Sequence, residues 1–171
     1  MNFLEQLLAE WYEYAGYFVR SNVRARKRAK GGWDVELDVL AHDPSNGILL
    51  HIETSGDANS WEERKHRFLT KKFILKREEY EAILGCKVSK IRKIAVVGYA
   101  RSTKVDLNWG RDIEVILIPD LMTQIAEKLR SQHPMKEAVP EGFPILRAVQ
   151  MALAYGIPQQ GSIITPKACD L

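Results

Sequence analysis

Cysteine is nearly absent. Cys86 and Cys169 are the only two in 171 residues, with no CxxC pair and no histidine at zinc-ligand spacing. This excludes a disulfide framework and a zinc finger, and two ordinary thiols suit a reduced, cytoplasmic protein. Long apolar runs are missing as well. Phe3, Leu4, Leu7 and Leu8 are interrupted by Glu5, Gln6 and Glu10, so nothing approaches the roughly 20 apolar residues needed to span a bilayer, and no membrane partner is expected. There is no internal repeat and no low-complexity tract. Neither sign of charge dominates: 25 Lys and Arg face 22 Asp and Glu, for a net charge of +3. A pI near 8.8 permits a polyanionic partner without requiring one. What remains is a hydrophobic share of 46% against 27% charged residues, the balance of a globular protein long enough for one ordinary domain.

Phe3, Leu4, Leu7, Leu8, Trp11 and Tyr14 recur at helical spacing, which predicts an amphipathic helix over residues 2–15, closed by Gly16. From Tyr17 to Arg28 the pattern alternates, with Arg20, Asn22, Arg24 and Arg26 opposite Tyr17, Val19 and Val23, as in a half-exposed strand with a basic face. Gly31-Gly32 turns the chain into a second strand, Trp33–Ala41, whose Asp34, Glu36 and Asp38 share one face. The turn signal Asp43-Pro44-Ser45-Asn46-Gly47 leads to a third strand, Ile48–Ser55, completing a meander. Ser60 and Glu63 form the capping box of a long helix to about Leu84, with Leu69, Phe73, Tyr80, Ile83 and Leu84 as its core stripe. Ile91–Tyr99 and Ile113–Ile118 read as buried strands, and Leu121, Ile125 and Leu129 mark a helix after Pro119-Asp120. After His133-Pro134 the composition is irregular around Pro140, Pro144 and Pro158, with one helix from Pro144 to Tyr155. The order is αβββαββα. Residues 1–132 are expected to form the main domain, and 133–171 a C-terminal helix and tail packed on it.

Residues two apart on a strand share a face, so Glu36 lies with Asp38, and His51 with Glu53 and Ser55. Pairing the two strands brings these sets together. Hard cations such as Mg²⁺ or Mn²⁺ take oxygen ligands, often one or two carboxylates plus water and substrate phosphate, and Asp38 with Glu53 can supply them. Such a site polarises a phosphodiester and activates water. Acids that merely keep one sheet face hydrated are the plainer alternative. His51 on that face is a base, a ligand or a hydrogen-bonded structural residue, and Glu36 a further ligand or a polar neighbour.

The stretch Glu36-Leu37-Asp38-Val39-Leu40-Ala41 followed by Ile52-Glu53-Thr54-Ser55 resembles the D…(D/E)-x-K core of the PD-(D/E)xK nuclease superfamily. Upstream, Glu5, Gly16-Tyr17, Asn22 and Arg24 follow as in the predicted endonucleases related to Holliday-junction resolvases. The resemblance covers roughly residues 3–75. It implies an α/β fold with a restriction-endonuclease-like αβββαβ core, a mixed central sheet flanked by helices, and Glu5, Asp38 and Glu53 as the acids of a nuclease site. The chain departs from the pattern at Ser55, where the family carries its catalytic lysine. An uncharged hydroxyl cannot reproduce that charge, so another cation substitutes or hydrolysis is impaired. Lys65, in the second turn of the following helix, is the leading substitute, or else a solvated lysine on a helix that also carries Glu62 and Glu63.

Arg20, Arg24, Arg26, Lys27, Arg28 and Lys30 stand together without an acid, and Arg64 and Arg67 add to the charge downstream. Flanking the carboxylates, these would grip a phosphate backbone. Trp33 and Trp61 either stack on bases or pack at element edges. Three functions fit: a Mg²⁺-dependent nuclease acting on DNA, a nucleic-acid-binding module whose chemistry is lost, or a scaffold whose segment from Phe143 to Tyr155 contacts a partner or a second copy in a homodimer.

Overall fold

The computed structural model describes residues 2–98, 106–110 and 112–156. Tyr99, Pro158 and Cys169 lie outside them. The chain divides into two compact units, one running to Thr123 and the other starting at Gln124.

The first unit opens with α1 (Phe3–Tyr14), which buries Leu4, Leu7 and Leu8 and packs on the first two strands. β1 (Phe18–Lys27), β2 (Trp33–Asp43) and β3 (Ile48–Ser55) pair antiparallel in sequence, and β4 (Lys90–Val97) and β5 (Ile113–Leu117) extend the sheet in parallel. The order β1-β2-β3-β4-β5 is a five-stranded mixed sheet flanked by helices, in an α/β fold. A parallel step needs a crossover. Here it carries α2 (Trp61–Arg67), a π-helical turn (Phe68–Lys72) and α3 (Arg77–Leu84).

The single long helix expected from Ser60 to Leu84 is thus three pieces. The Ser60–Glu63 capping box starts α2 as expected. Phe73 N–H then bonds back five residues, 3.0 Å to the Phe68 carbonyl, and the chain leaves the helix before α3. Phe68 and Phe73 are both buried against Trp109, Ala95 and Val97, so seating both aromatics sets this local winding. Leu69, expected in the core, is 44% exposed. Tyr80 is buried, with Ile83 and Leu84 packed beside its cluster of Val35, Leu37 and Leu49.

The basic face of β1 is partly covered by α3. Arg26 has φ +58°, a left-handed conformation rare for a side-chain-bearing residue. Its guanidinium grips Glu79 bidentately at 2.7 and 2.9 Å and donates to the Ile74 carbonyl. Arg20 donates to the Ile83 carbonyl, and Arg28 pairs with Asp34. Hydrogen bonds from Arg26, then from the Lys76 amide, hold Glu79 at a pKa of about 2 against an ordinary 4.5. The stability from a depressed carboxyl is present above pH 4.5 and lost as pH falls toward 2. Glu79→Gln is therefore expected to flatten the acid limb of the stability curve in that window, as read by urea denaturation at stepped pH. An acid limb like that of the wild type would refute the linkage.

In the second unit, α4 (Ile118–Arg130), which begins in the first, leads to α5 (Pro144–Met151) and a second π-helical turn, Ala152–Gly156. The helix expected from Pro144 to Tyr155 is present with this change of winding. The buried Gln150 amide accepts from the Val139 N–H and donates to the Gln132 and Glu137 carbonyls, tying the 131–143 segment to α5. No helix among the described residues is long and apolar enough to cross a membrane.

Candidate carboxylate–lysine site

Antiparallel pairing of Val39 with Ile52 and Leu40 with His51 carries Asp38 to the position beside Glu53, so strand register alone joins the two acids. Both are buried, Asp38 at 8% exposure and Glu53 at 0%. Asp38 Oδ2 accepts from the Thr54 amide at 2.8 Å and the Thr54 hydroxyl at 2.9 Å, which fixes the carboxylate and turns Oδ1 toward Lys72. Lys72 Nζ lies 3.0 Å from Asp38 Oδ1 and 2.6 Å from Glu53 Oε2. The Glu53 contact is ionic, without the alignment of a hydrogen bond.

Burial alone would lower the Lys72 pKa, but the Glu53 charge at close contact and the Asp38 charge and hydrogen bond outweigh it and raise the pKa above 10.5. Lys72 is thus a fixed cation at neutral pH. Its interaction is fully present below the ordinary lysine value and is lost as pH rises through the higher folded one. The π turn brings it here. Lys72 is the last residue of that turn, and Lys93, opposite His51 in the β3–β4 register, donates at 3.2 Å to the Phe73 carbonyl just beyond it.

His51, fully buried, bridges Glu53 Oε1 and the Tyr80 hydroxyl, each at 2.7 Å. Both contacts are satisfied when Nε2–H donates to the carboxylate and Nδ1 accepts from Tyr80. The ring packs edge-on against Phe73 and Tyr80. Burial, then the Glu53 charge, pushes the Tyr80 phenol pKa up, so it remains a donor. Of the roles open to His51, the geometry fits the hydrogen-bonded structural one: it holds the Glu53 carboxylate in place. Tyr80→Phe leaves Nδ1 buried without its donor. We expect it to cost about 1–3 kcal/mol in urea denaturation, and an unchanged midpoint would remove the His51–Tyr80 link from the account.

Ser55 shares this face, and its hydroxyl donates to Asp57 at 3.0 Å and accepts from Arg67 Nη2 at 2.8 Å. Arg67 in turn sits 2.5 Å from Asp57. Hydrogen bonding to Arg67 and Ser55 outweighs burial and lowers the Asp57 pKa. A lysine at 55 would confront Arg67, which gives a physical reason for the serine.

Two expected site residues make other contacts. Lys65 Nζ reaches Asp106 at 3.3 Å and the Asn108 carbonyl at 3.0 Å, so the cation between the carboxylates is Lys72 instead. Glu5 closes the capping box of α1, accepting from the Asn2 amide at 3.0 Å and the Asn2 side chain at 2.6 Å. Of the expected phosphate grips, Arg24 is exposed, Arg64 is buried beside Asp57, and Arg20, Arg26 and Arg28 hold the contacts given above. Glu36 is exposed. Trp33 is 41% exposed, while Trp61 donates to the Asp106 carbonyl and packs on Trp109.

Among the described residues no three His, Cys, Asp or Glu side chains gather as a metal-holding group. Asp38 and Glu53 are two, and the Lys72 ammonium between them shows that both oxygens face one cation position. That donor set suits Mg²⁺, which is held by one or two carboxylates and keeps several waters or phosphate oxygens. Compared with known proteins, the chain matches no family model and no curated protein sequence.

Proposed function

We propose that this chain is a divalent-metal-dependent phosphodiesterase acting on nucleic acid, DNA in particular, with a restriction-endonuclease-like core in which Lys72 stands in for the lysine missing at position 55. The observation that carries this reading is the reach of one protonated lysine to two buried carboxylates on neighbouring strands. The αβββαβ order and the antiparallel-then-parallel sheet support it.

Asp38 and Glu53 would hold Mg²⁺ or Mn²⁺, which when bound supplies Lewis acidity to the phosphate and lowers the pKa of the attacking water. The protein's own groups do the rest. Thr54 and His51 keep the carboxylates aimed, so little reorganisation accompanies the reaction. Lys72, within reach of both carboxylates, would meet the negative charge growing on the phosphate. Being protonated, it acts as a charge donor and not as the base. Arg24, Lys27 and Lys71 of the π turn supply a backbone grip whose strength falls with salt.

The test is cleavage of a supercoiled plasmid and a branched oligonucleotide by the full chain, with Mg²⁺, with Mn²⁺ and with EDTA. Cutting only with metal, lost in Glu53→Gln and unchanged in Lys65→Ala, is the expected result. Cutting that persists in EDTA or in Glu53→Gln would reject the assignment. Dependence on Lys65 would reject the role given to Lys72.

A further inference from the structure

Arg67 and Lys72 are five residues apart, the interval that a π-type i to i+5 hydrogen bond brings round to one side of the chain. The turn at Phe68–Lys72 does this here. Lys72 reaches the carboxylates, while Arg67 Nη2 donates to the Ser55 hydroxyl at 2.8 Å and to Asp57 Oδ2 at 2.5 Å. Ser55 follows Glu53 by two residues on the same face of β3, in unbroken register with β4, so the serine that holds the guanidinium is one strand repeat, roughly 7 Å, past Glu53. A guanidinium has five N–H donors, and Nη2 uses two of them on these contacts. Nε and Nη1 have no hydrogen-bond partner among the described residues, and unlike the Nε and Nη1 of Arg64 they are not sealed from solvent. The Arg67 side chain is 30% exposed. One nitrogen therefore fixes the group, and the other two keep their donors free.

We infer that Arg67 is a substrate-binding residue that grips the backbone phosphate next to the scissile one. The inference rests on the proposed nuclease reading, which puts the scissile phosphate at Asp38, Glu53 and Lys72. Guanidinium N–H groups bond phosphate oxygens with the help of charge, and a contact to the backbone sets the register of the strand without reading its bases. Because Ser55 and Asp57 already hold the side chain, little rotamer freedom is lost on binding. Arg67 thus positions the strand, and Lys72 meets the charge that develops during reaction. The serine at 55 fits this division, since a hydroxyl accepts from the guanidinium where a lysine would repel it.

Binding of a fluorescent DNA duplex to the full chain carrying Asp38→Asn, followed by anisotropy at stepped salt, separates the contact from cleavage. Adding Arg67→Gln is expected to weaken binding about tenfold and to make the slope of log affinity against log salt shallower by about 0.9, the share of one phosphate. Arg92→Gln removes a charge from the other face of the sheet, where Arg92 pairs with Glu114, and should leave the slope unchanged. In the active chain with Mg²⁺, Arg67→Gln is expected to raise KM about tenfold with kcat held, the mark of binding lost equally from ground and transition states. Ser55→Ala keeps the charge but frees the guanidinium, so KM should rise by a smaller factor while the slope stays. Melting temperatures report folding, and Ser55→Ala decides the matter if Arg67→Gln does not fold. No duplex binding, an unchanged slope in folded Arg67→Gln, a fall in kcat alone, or an unchanged KM in Ser55→Ala would overturn the contact. Cleavage with an unchanged slope would remove Arg67 from the substrate and leave the nuclease. A shallower slope in a chain that never cleaves would keep the phosphate contact and remove the nuclease.

Discussion

Lys72→Met is expected to slow metal-dependent cleavage by about 10²–10³-fold, the usual cost of removing one preorganised donor from a developing charge. The same substitution leaves Asp38 and Glu53 facing each other with no cation between them. Glu53 is fully buried and Lys72 one-quarter exposed, so the variant should lose about 3–5 kcal/mol of stability in EDTA. Adding Mg²⁺ is expected to recover most of that loss, since a ligand that binds only the folded state stabilises it by mass action. The variant should also bind Mg²⁺ more tightly than the wild type, because Lys72 no longer competes for the carboxylates. A structural ion pair would give the instability without the gain in metal affinity.

Asp38→Asn is expected to abolish measurable cleavage, a loss of at least about 10³-fold, while leaving the fold in place. The amide keeps an oxygen for the Thr54 amide and hydroxyl, which now bond Oδ2. It loses the charge that Lys72 and a divalent ion both need. The melting temperature should therefore change little in EDTA and no longer rise with Mg²⁺. Wild-type metal stabilisation in Asp38→Asn would mean that the ion binds elsewhere.

The sheet was legible because strand alternation is a local signal, and Ile48–Ser55 falls at the expected residues. The pairing of Asp38 with Glu53 followed from the same period and one tight turn. Lys72 was not legible. It lies seven residues after Lys65, so on a straight helix the two share a face, and choosing between them needs the winding. That winding depends on Phe68 and Phe73 being buried together, five residues apart, against Trp109, which is distant in sequence. The five-residue aromatic spacing was the available clue to a π turn. The capping role of Glu5 was legible locally. A glutamate three residues after Asn2 at a helix start satisfies the capping-box pattern, and in this structure its carboxylate answers that local demand. Burial of Arg64 needed the 56–60 loop, where Asp57 turns back to meet it.

The most direct test of the Asp38–Glu53–Lys72 site is a single-turnover cleavage assay of a DNA plasmid at saturating Mg²⁺, with wild type, Lys72→Met and Lys65→Ala in parallel. A site built on these three residues predicts wild-type rates for Lys65→Ala and a drop of about 10²-fold or more for Lys72→Met. Cleavage by Lys72→Met at the wild-type rate would contradict it.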